Sequence, residues 1–570
     1  MRSALVNLRL DVNDAAGVAV APRQTRGAVR AADTPLADEG RMALITILLV
    51  QTVLLLSAAR FVGAYGWDDG AITLAYARTF AETGRIALTS VSEHVEGFSS
   101  VAWFGLNALV QLARPGFSAA IFASQLLTLI TLVASGAVVH RLGRAIGLHV
   151  ATCIAAVGCF ACMGPLFSET VNGMEMGLLT LGGLVIVHRL YFDRNQLVVS
   201  VALGVFVATR FESAFYVAFL LAPLLFEHRF REFTRHAALA ALVFGVIGAY
   251  RWFSFGALLP NTIYAKMHEP YHAHGFALWS RVFAAGELFI LFLPALIVLL
   301  LRALYLRRCW GVVVALKNNR ALLAPIAGAV IFALITGRNW GYLGRMQFFA
   351  IPFMLLLIVQ TAEWLAMSSP VGQSAFVGCI VGLTLCSSTL GAPIEQWRAR
   401  WTHSFSVAPA SYRETALAVE KVRTTLGAGS IAFLTGDIGG VGLCCPAIRV
   451  VDIALLSNQK LAREGYGALA DVIGTEQPEI IEAHGLWASV SHLYQLDSFR
   501  TAYRPAIIDH TRFYLRNDVA DRLAQTGIAT TVSIDHTNAQ ARWADHRYRA
   551  ACNERDDEAF RSTGAVLLVR

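Results

Sequence analysis

Residues 65–98 read YGWDDGAITLAYARTFAETGRIALTSVSEHVEGF, and the fold class follows from where this stretch sits. It comes directly after a strongly apolar run, 42–59. The adjacent carboxylates Asp68 and Asp69 therefore stand a few residues beyond what reads as a first membrane span. Charge at a membrane boundary is cheap in water and costly in lipid, so this pair must face water, a partner or a substrate. The helical spacing of Ile72, Tyr76 and Phe80 predicts a helix over 69–81, broken by Thr83-Gly84. Asp is a favoured helix N-cap, so one of the two carboxylates also has a purely structural use open to it.

Composition agrees with a membrane setting. The chain has 570 residues, 56% hydrophobic and only 15% charged, with a mean hydropathy of +0.54. A soluble domain carries about 25% charged residues. That deficit, together with many apolar runs near 20 residues, predicts a polytopic α-helical membrane protein. The net charge of +8 does not point to nucleic acid, because the basic residues fall largely in short loops between apolar runs, where they orient spans. The nine cysteines show no metal-ligand spacing. Cys153, Cys159, Cys162, Cys379 and Cys386 fall in apolar runs and read as core. Cys444 and Cys445, being adjacent, are not expected to bridge each other.

Residues 1–41 are polar with scattered arginines and read as a disordered cytoplasmic tail. Residues 42–390 hold apolar runs at 42–59, 118–139, 150–166, 174–188, 197–209, 214–226, 237–255, 282–301, 322–336, 348–365 and 375–390, about eleven spans by length. Between the first two lies a long loop, 60–117, in which 99–113 is short for a span and reads as an interfacial helix, with a short second span as the alternative. With a cytoplasmic amino terminus, the inside loops collect Arg141/Arg144, Arg189/Arg194, Arg229/Arg231/Arg235 and Arg302/Arg307/Arg308/Lys317/Arg320. The other face carries mostly isolated charges, as the positive-inside rule requires. That face gathers the Asp pair, Glu169, Glu175, Arg210, Glu212, Lys266, Arg281, Arg338, Arg345 and the tail, 391–570. The tail has ordinary charge density, strand-like runs at 430–434, 449–451 and 565–569, and loop signals at Gly436-Asp437 and Gly439-Gly440. It is long enough for one soluble α/β domain. His268, His272 and His274 fit no metal motif, and Trp103, Trp252, Trp279 and Trp340 sit near span ends, where aromatic belts are normal.

The stretch DDGAITLAYARTFAETGRIALTSVSEHVEGFSS resembles the first external loop of the GT-C glycosyltransferases. It is most similar to the branch with the mycobacterial terminal β-arabinofuranosyltransferase, whose members read DDAYIT-x-RYA…NPGE-x-VEGYTS-x-LW. Asp68, Asp69, Ile72, Thr73, Tyr76, Ala77, Arg78, Gly84, Val95, Glu96, Gly97, Ser99 and Trp103 match. NGMEMGLLTL (172–181), ATRFESAF (208–215), LPNTIYAK (259–266) and GYLGRMQFFAIPF (341–353) resemble further family blocks, in order, across residues 42–370. Departures include Gly70 for Ala, Phe98 for Tyr and Phe211 for Pro; these three remove no carboxylate and no basic group.

The resemblance implies a GT-C fold with a carboxy-terminal extracytoplasmic α/β domain. It implies an inverting transferase in a bacterial inner membrane that takes a sugar, arabinofuranose by this branch, from a polyprenyl-phosphate donor to a cell-envelope glycan or glycoconjugate. Asp68 or Asp69 would be the base. Arg345, Lys266, Arg338 and Arg210 are the basic groups expected near the leaving lipid phosphate, Arg345 and Lys266 first because they lie in matching blocks, with Asn261 beside them. Glu96, Tyr76, Glu175, Asn172 and Glu212 would orient sugar or acceptor hydroxyls, or simply pair with arginines. No cofactor is required, although an acidic pair in water is able to hold Mg²⁺ or Mn²⁺. The rival classes are a lipid or sugar transporter, for which neither an internal repeat nor mid-membrane charge is seen, and a noncatalytic scaffold using the tail.

Overall fold

The computed structural model describes residues 35–62, 68–161, 163–268, 319–336, 345–368, 408–483, 485–509, 511–527, 529–533 and 565–569. Helix α1 (Pro35–Val62) leads into α2 (Asp68–Thr83) and α3 (Val101–Gln111). The bundle continues with α4 (Phe117–Ala145), α5 (Val150–Ala161), α6 (Gly164–Asn172) and α7 (Met176–His188). After these come α8 (Gln196–Thr209), α9 (Ser213–Phe226), α10 (Phe230–Phe255) and the short α11 (Asn261–Ala265). Helices α12 (Arg320–Thr336) and α13 (Ile351–Ser368) complete the described part of the bundle.

Local chemistry sets the ends of these helices. Asp68 and Asp69 occupy the first turn of α2, where negative charge suits the helix dipole. Gly84 closes that helix with φ +72°, a conformation that favours glycine. Ser100 caps α3 by accepting from the Trp103 N–H at 3.2 Å. At 11 residues, α3 spans roughly 16 Å, too short to cross.

Among the described residues three helices are long and apolar enough to cross a membrane: Phe117–Ala145, Met176–Asp193 and Phe230–Phe255. The other predicted spans that are described form shorter apolar helices, and 282–301 and 375–390 lie outside the described residues. Helix α10 turns Leu242, Val246 and Phe253 outward, the last 86% exposed, as a lipid-facing surface would. One polar network joins four helix ends. Glu227, just past α9, accepts from Arg229 at 2.8 Å and from Arg320, the first residue of α12, at 2.7 Å. Glu232 of α10 accepts from Arg229 at 2.6 Å and from Gln196 of α8 at 2.8 Å. These are loops that the charge pattern assigns to one side.

The tail opens with α14 (Pro409–Thr425) and builds a seven-stranded sheet of order β2-β1-β3-β5-β4-β7-β6. Its strands are β1 (Ile431–Thr435), β2 (Ile448–Asp452), β3 (Ile480–Ile481), β4 (Tyr503–Ile508), β5 (Thr511–Arg516), β6 (Ala529–Ser533) and β7 (Ala565–Val569). β1 runs parallel to both β2 and β3, with Phe433 opposite Val450. β5 is antiparallel to β3 and β4. Between β1 and β2 lies α15 (Gly439–Cys444), so the Gly439-Gly440 loop signal is in fact a helix start.

The tail is not a separate globule. One hydrophobic cluster contains Ala71, Leu74, Tyr76, Phe98 and Phe104 of the 68–111 segment together with Tyr412, Val419, Phe433, Val441 and Phe513 of the tail. The reason for the glycines at 439–442 is now visible. A Cβ at Gly439 would lie 2.3 Å from the Asp68 carbonyl oxygen, and one at Gly442 would lie 2.8 Å from Leu88 and 3.0 Å from Ala75. Contact this close requires that neither glycine carry a side chain.

Gly439→Ala should therefore destabilise the seam between tail and bundle by about 1–3 kcal/mol, the usual scale of overpacking. Gly467→Ala, where nothing lies within 4 Å of the added carbon, should not. Thermal unfolding and protease release of the tail in detergent would check this, and equal effects from the two variants would contradict it.

Candidate functional site

Asp68 and Asp69 are neighbours in sequence but not in role. Successive residues on a helix point about 100° apart, and α2 uses that angle to send the two carboxylates different ways. Asp68 is buried, 4% exposed. Its Oδ2 accepts from the Gly439 N–H at 2.5 Å and its Oδ1 from the Gly440 N–H at 2.7 Å. At the other end of the same short helix, Arg78 donates to the carbonyls of Leu443 at 2.5 Å, Cys444 at 3.1 Å and Gly442 at 3.2 Å. An anion on the first N–H groups of α15 and a cation on its last carbonyls match that helix's dipole at both ends. Burial and the charge of Asp437 push the Asp68 carboxyl up, while the two glycine N–H groups hold it down.

Asp69 is half-buried and opens onto a cleft lined by Thr73, Ser99, Ser100, Glu175, Arg210 and Lys266, with Gly97, Phe98, Met174, Thr262 and Leu456 completing the wall. Its walls come from α2, the 97–100 loop, the start of α7, the end of α8, α11 and the tail. Arg210 terminates α8 and pairs with both Glu175 and Glu212. Its charge is thus opposed by two carboxylates, and Lys266 is the other cation on the cleft wall. Ser99 Oγ and Thr262 Oγ1 lie 3.0 Å apart, joining the loop to α11. The cleft holds about 70 Å³, below the roughly 300–1,000 Å³ of small-molecule pockets, so a sugar enters only if the walls part.

The remaining predicted residues fall in several places. Glu96 forms a buried two-pronged pair with Arg251 of α10, at 2.7 and 2.9 Å, tying the 93–100 loop to that helix. Asn261 donates to the carbonyls of Leu455, Leu456 and Asn458, bracing α11 against the tail. Tyr76 is fully buried under Gly97, where a Cβ would meet its hydroxyl at 2.4 Å. Asn172 ends α6, and its backbone oxygen would lie 1.8 Å from a Cβ at Gly70. The departure from Ala at position 70 therefore matches a close main-chain approach. Arg345 begins a 3₁₀ turn, Arg345–Ala350; Arg338, His272, His274, Trp279 and Trp340 lie outside the described residues.

Two expectations are corrected. Trp103 is not a belt residue: it is 1% exposed and its indole N–H donates to the Gly173 carbonyl at 3.0 Å. Cys444 and Cys445 are bridged to each other where the chain leaves α15 for the extended approach to β2. Sequence reasoning also missed Arg251, which reads as an ordinary span-end arginine, and Arg78, which matched a motif without acquiring a role.

Carboxylates gather at the carboxyl ends of β1, β2 and β3. Asp437 accepts from Tyr412 at 2.6 Å and Glu482 from Thr435 at 2.6 Å. Asp452 accepts from the Ala454 and Ser457 N–H groups, and burial pushes its carboxyl up to about 7. Among the described residues no three His, Cys, Asp or Glu side chains are placed to hold a metal ion.

Removing one member of a buried ion pair leaves the other charge stranded. Glu96→Ala should cost about 3–5 kcal/mol of stability, whereas Glu96→Leu combined with Arg251→Met should cost much less. Chemical unfolding of the two variants would decide, and a double variant worse than the single one would contradict the pairing.

No protein-family model matches the chain, and no curated protein matches it. Among solved structures the chain is similar to the oligosaccharyltransferase of Archaeoglobus fulgidus, crystallised tethered through a disulfide bond to an acceptor peptide containing the NVT sequon. The TM-score is 0.47 at 11% identity, over 89% of this chain and 71% of that one. A likeness of this strength leaves the functional reading to rest on the residues themselves.

Proposed function

We propose that the chain is an inverting membrane glycosyltransferase of the GT-C type, with Asp69 as its catalytic base. The observation that carries this reading is the division of the acidic pair. Asp68 is committed to α15, while Asp69 opens onto a cleft shared with Lys266, Arg210 and several hydroxyls. Transfer to a hydroxyl requires a base that takes the proton as the acceptor oxygen attacks the anomeric carbon. In one displacement the new C–O bond forms, the bond to the leaving phosphate breaks, and the proton passes to the Asp69 carboxylate. The leaving lipid phosphate gathers negative charge, and the Lys266 ammonium on the cleft wall would be its cation; Arg210 would contribute less, being opposed by Glu175 and Glu212. Thr73, Ser99, Ser100 and Thr262 supply neutral hydrogen bonds for sugar hydroxyls.

The motif blocks further support a polyprenyl-phosphate donor, a pentose (arabinofuranose) as the transferred sugar, a cell-envelope acceptor, and a site on the extracytoplasmic face of a bacterial inner membrane. The test uses the purified chain in nanodiscs with radiolabelled polyprenyl-phosphoryl arabinofuranose and a short arabinan, with and without EDTA. Asp69→Asn should lower transfer about 10²–10⁴-fold, the usual worth of a general base. Lys266→Gln should slow transfer and Lys266→Arg should restore part of it. Transfer by Asp69→Asn within a few-fold of the parent would overturn the assignment of the base. Transfer only from other polyprenyl-phosphate sugars would overturn the pentose alone.

A further inference from the structure

The end of the bundle opposite the cleft carries a second, larger cavity. Glu175 precedes the first residue of α7 and Arg189 follows its last, so about 21 Å of helix separates the two sites. There the carboxyl ends of α4 and α7 form an open hollow of about 660 Å³, lined by His140, Arg141, Arg144, His188, Arg189 and Asp193, with Phe192 beside them.

Charge is the first argument. Three guanidiniums meet one carboxylate, Asp193, which pairs with Arg189. Two helix carboxyl ends, each worth roughly half a negative charge, account for part of the rest. A positive excess remains even with both imidazoles neutral. Arg144 also donates to the Leu148 carbonyl at 2.6 Å, which fixes one wall, whereas Arg141 is exposed.

The second argument is an unmet hydrogen bond. The buried Nε2 of His140, on the same wall, has no partner among the described residues. Buried polar atoms are nearly always paired, so an unmet one in a residue that lines the cavity marks this wall as short of a hydrogen-bond partner.

Depth is the third. Both α4 and the α7 stretch Met176–Asp193 are long and apolar enough to cross a membrane, so their ends lie at the level of lipid headgroups. Phe192 is 38% exposed beside the cavity. Basic pockets between membrane helices suit anionic headgroups, and the volume falls within the range of small-molecule sites.

We propose that this cavity binds the phosphate of an anionic ligand, with Arg141 and Arg189 as its principal contacts. A phosphodiester lipid headgroup and free phosphate share that chemistry, and the depth of the site favours the lipid. The inference is independent of the glycosyltransferase reading.

The test places the full chain in phosphatidylcholine nanodiscs and raises the fraction of phosphatidylglycerol, following retained lipid by native mass spectrometry. A parallel arm titrates inorganic phosphate. The variant is Arg141→Gln with Arg189→Gln, and the control is Arg231→Gln with Arg235→Gln, which removes the same charge from α10. The expected result is tight retention of phosphatidylglycerol, weakened roughly 30-fold in the variant and little in the control. Should the double variant not assemble, Arg141→Gln alone should weaken retention roughly fivefold. Arginine-dependent binding of phosphate without preference for the lipid would assign the same site to a soluble anion. Equal loss in variant and control, or no preference for either ligand, would overturn the proposal.

Discussion

The structure depends on one piece of electrostatic matching between α2 and α15. A carboxylate sits on the first N–H groups of a six-residue helix and a guanidinium on its last carbonyls, and both come from one helix, α2. A helix this short cannot hold itself together in isolation. It persists because its orphan backbone groups are satisfied from outside. Gly439 and Gly442 allow the approach, and the shared core of Tyr76, Phe98, Phe433 and Val441 sets the distance. Rotating α2 would break both ends of this arrangement together, so the direction in which Asp69 points is determined by the tail.

Several charges around the cleft are bound up in buried pairs. Glu96 is neutralised by Arg251, and Arg210 by Glu175 and Glu212. Buried pairs of this kind contribute little net stability but are costly to break, because each partner exists only to compensate the other. They hold the 93–100 loop, the α7 start and the α8 end in fixed relation. Asp69 and Lys266 both line a cleft whose walls come from six parts of the chain.

Much of this was legible in the sequence, for physical reasons. Apolar runs and flanking arginines report the lipid solvent directly, so long helices at 117–145, 176–193 and 230–255 cover the predicted runs 118–139, 174–188 and 237–255 in most of their length. The strand at 565–569 was read to the residue, and β1 and β2 to within one residue at each end. Long-range partnership was not legible. Nothing local marks Arg251 as the partner of Glu96, 155 positions away. Adjacent Asp residues look like a pair because sequence is linear, whereas a helix separates them by its turn. The glycines at 439–440 read as a loop because their use, admitting another helix, depends on α2 some 370 residues earlier.

Hydrogen exchange across residues 436–445 distinguishes the role of Asp68 from that of Asp69. The Gly439 and Gly440 amides are held by the Asp68 carboxylate alone of the pair. Asp68→Ala should speed exchange in that segment sharply, and Asp69→Ala should leave it as in the parent chain. Equal protection in both variants, or loss on changing Asp69, would contradict the account.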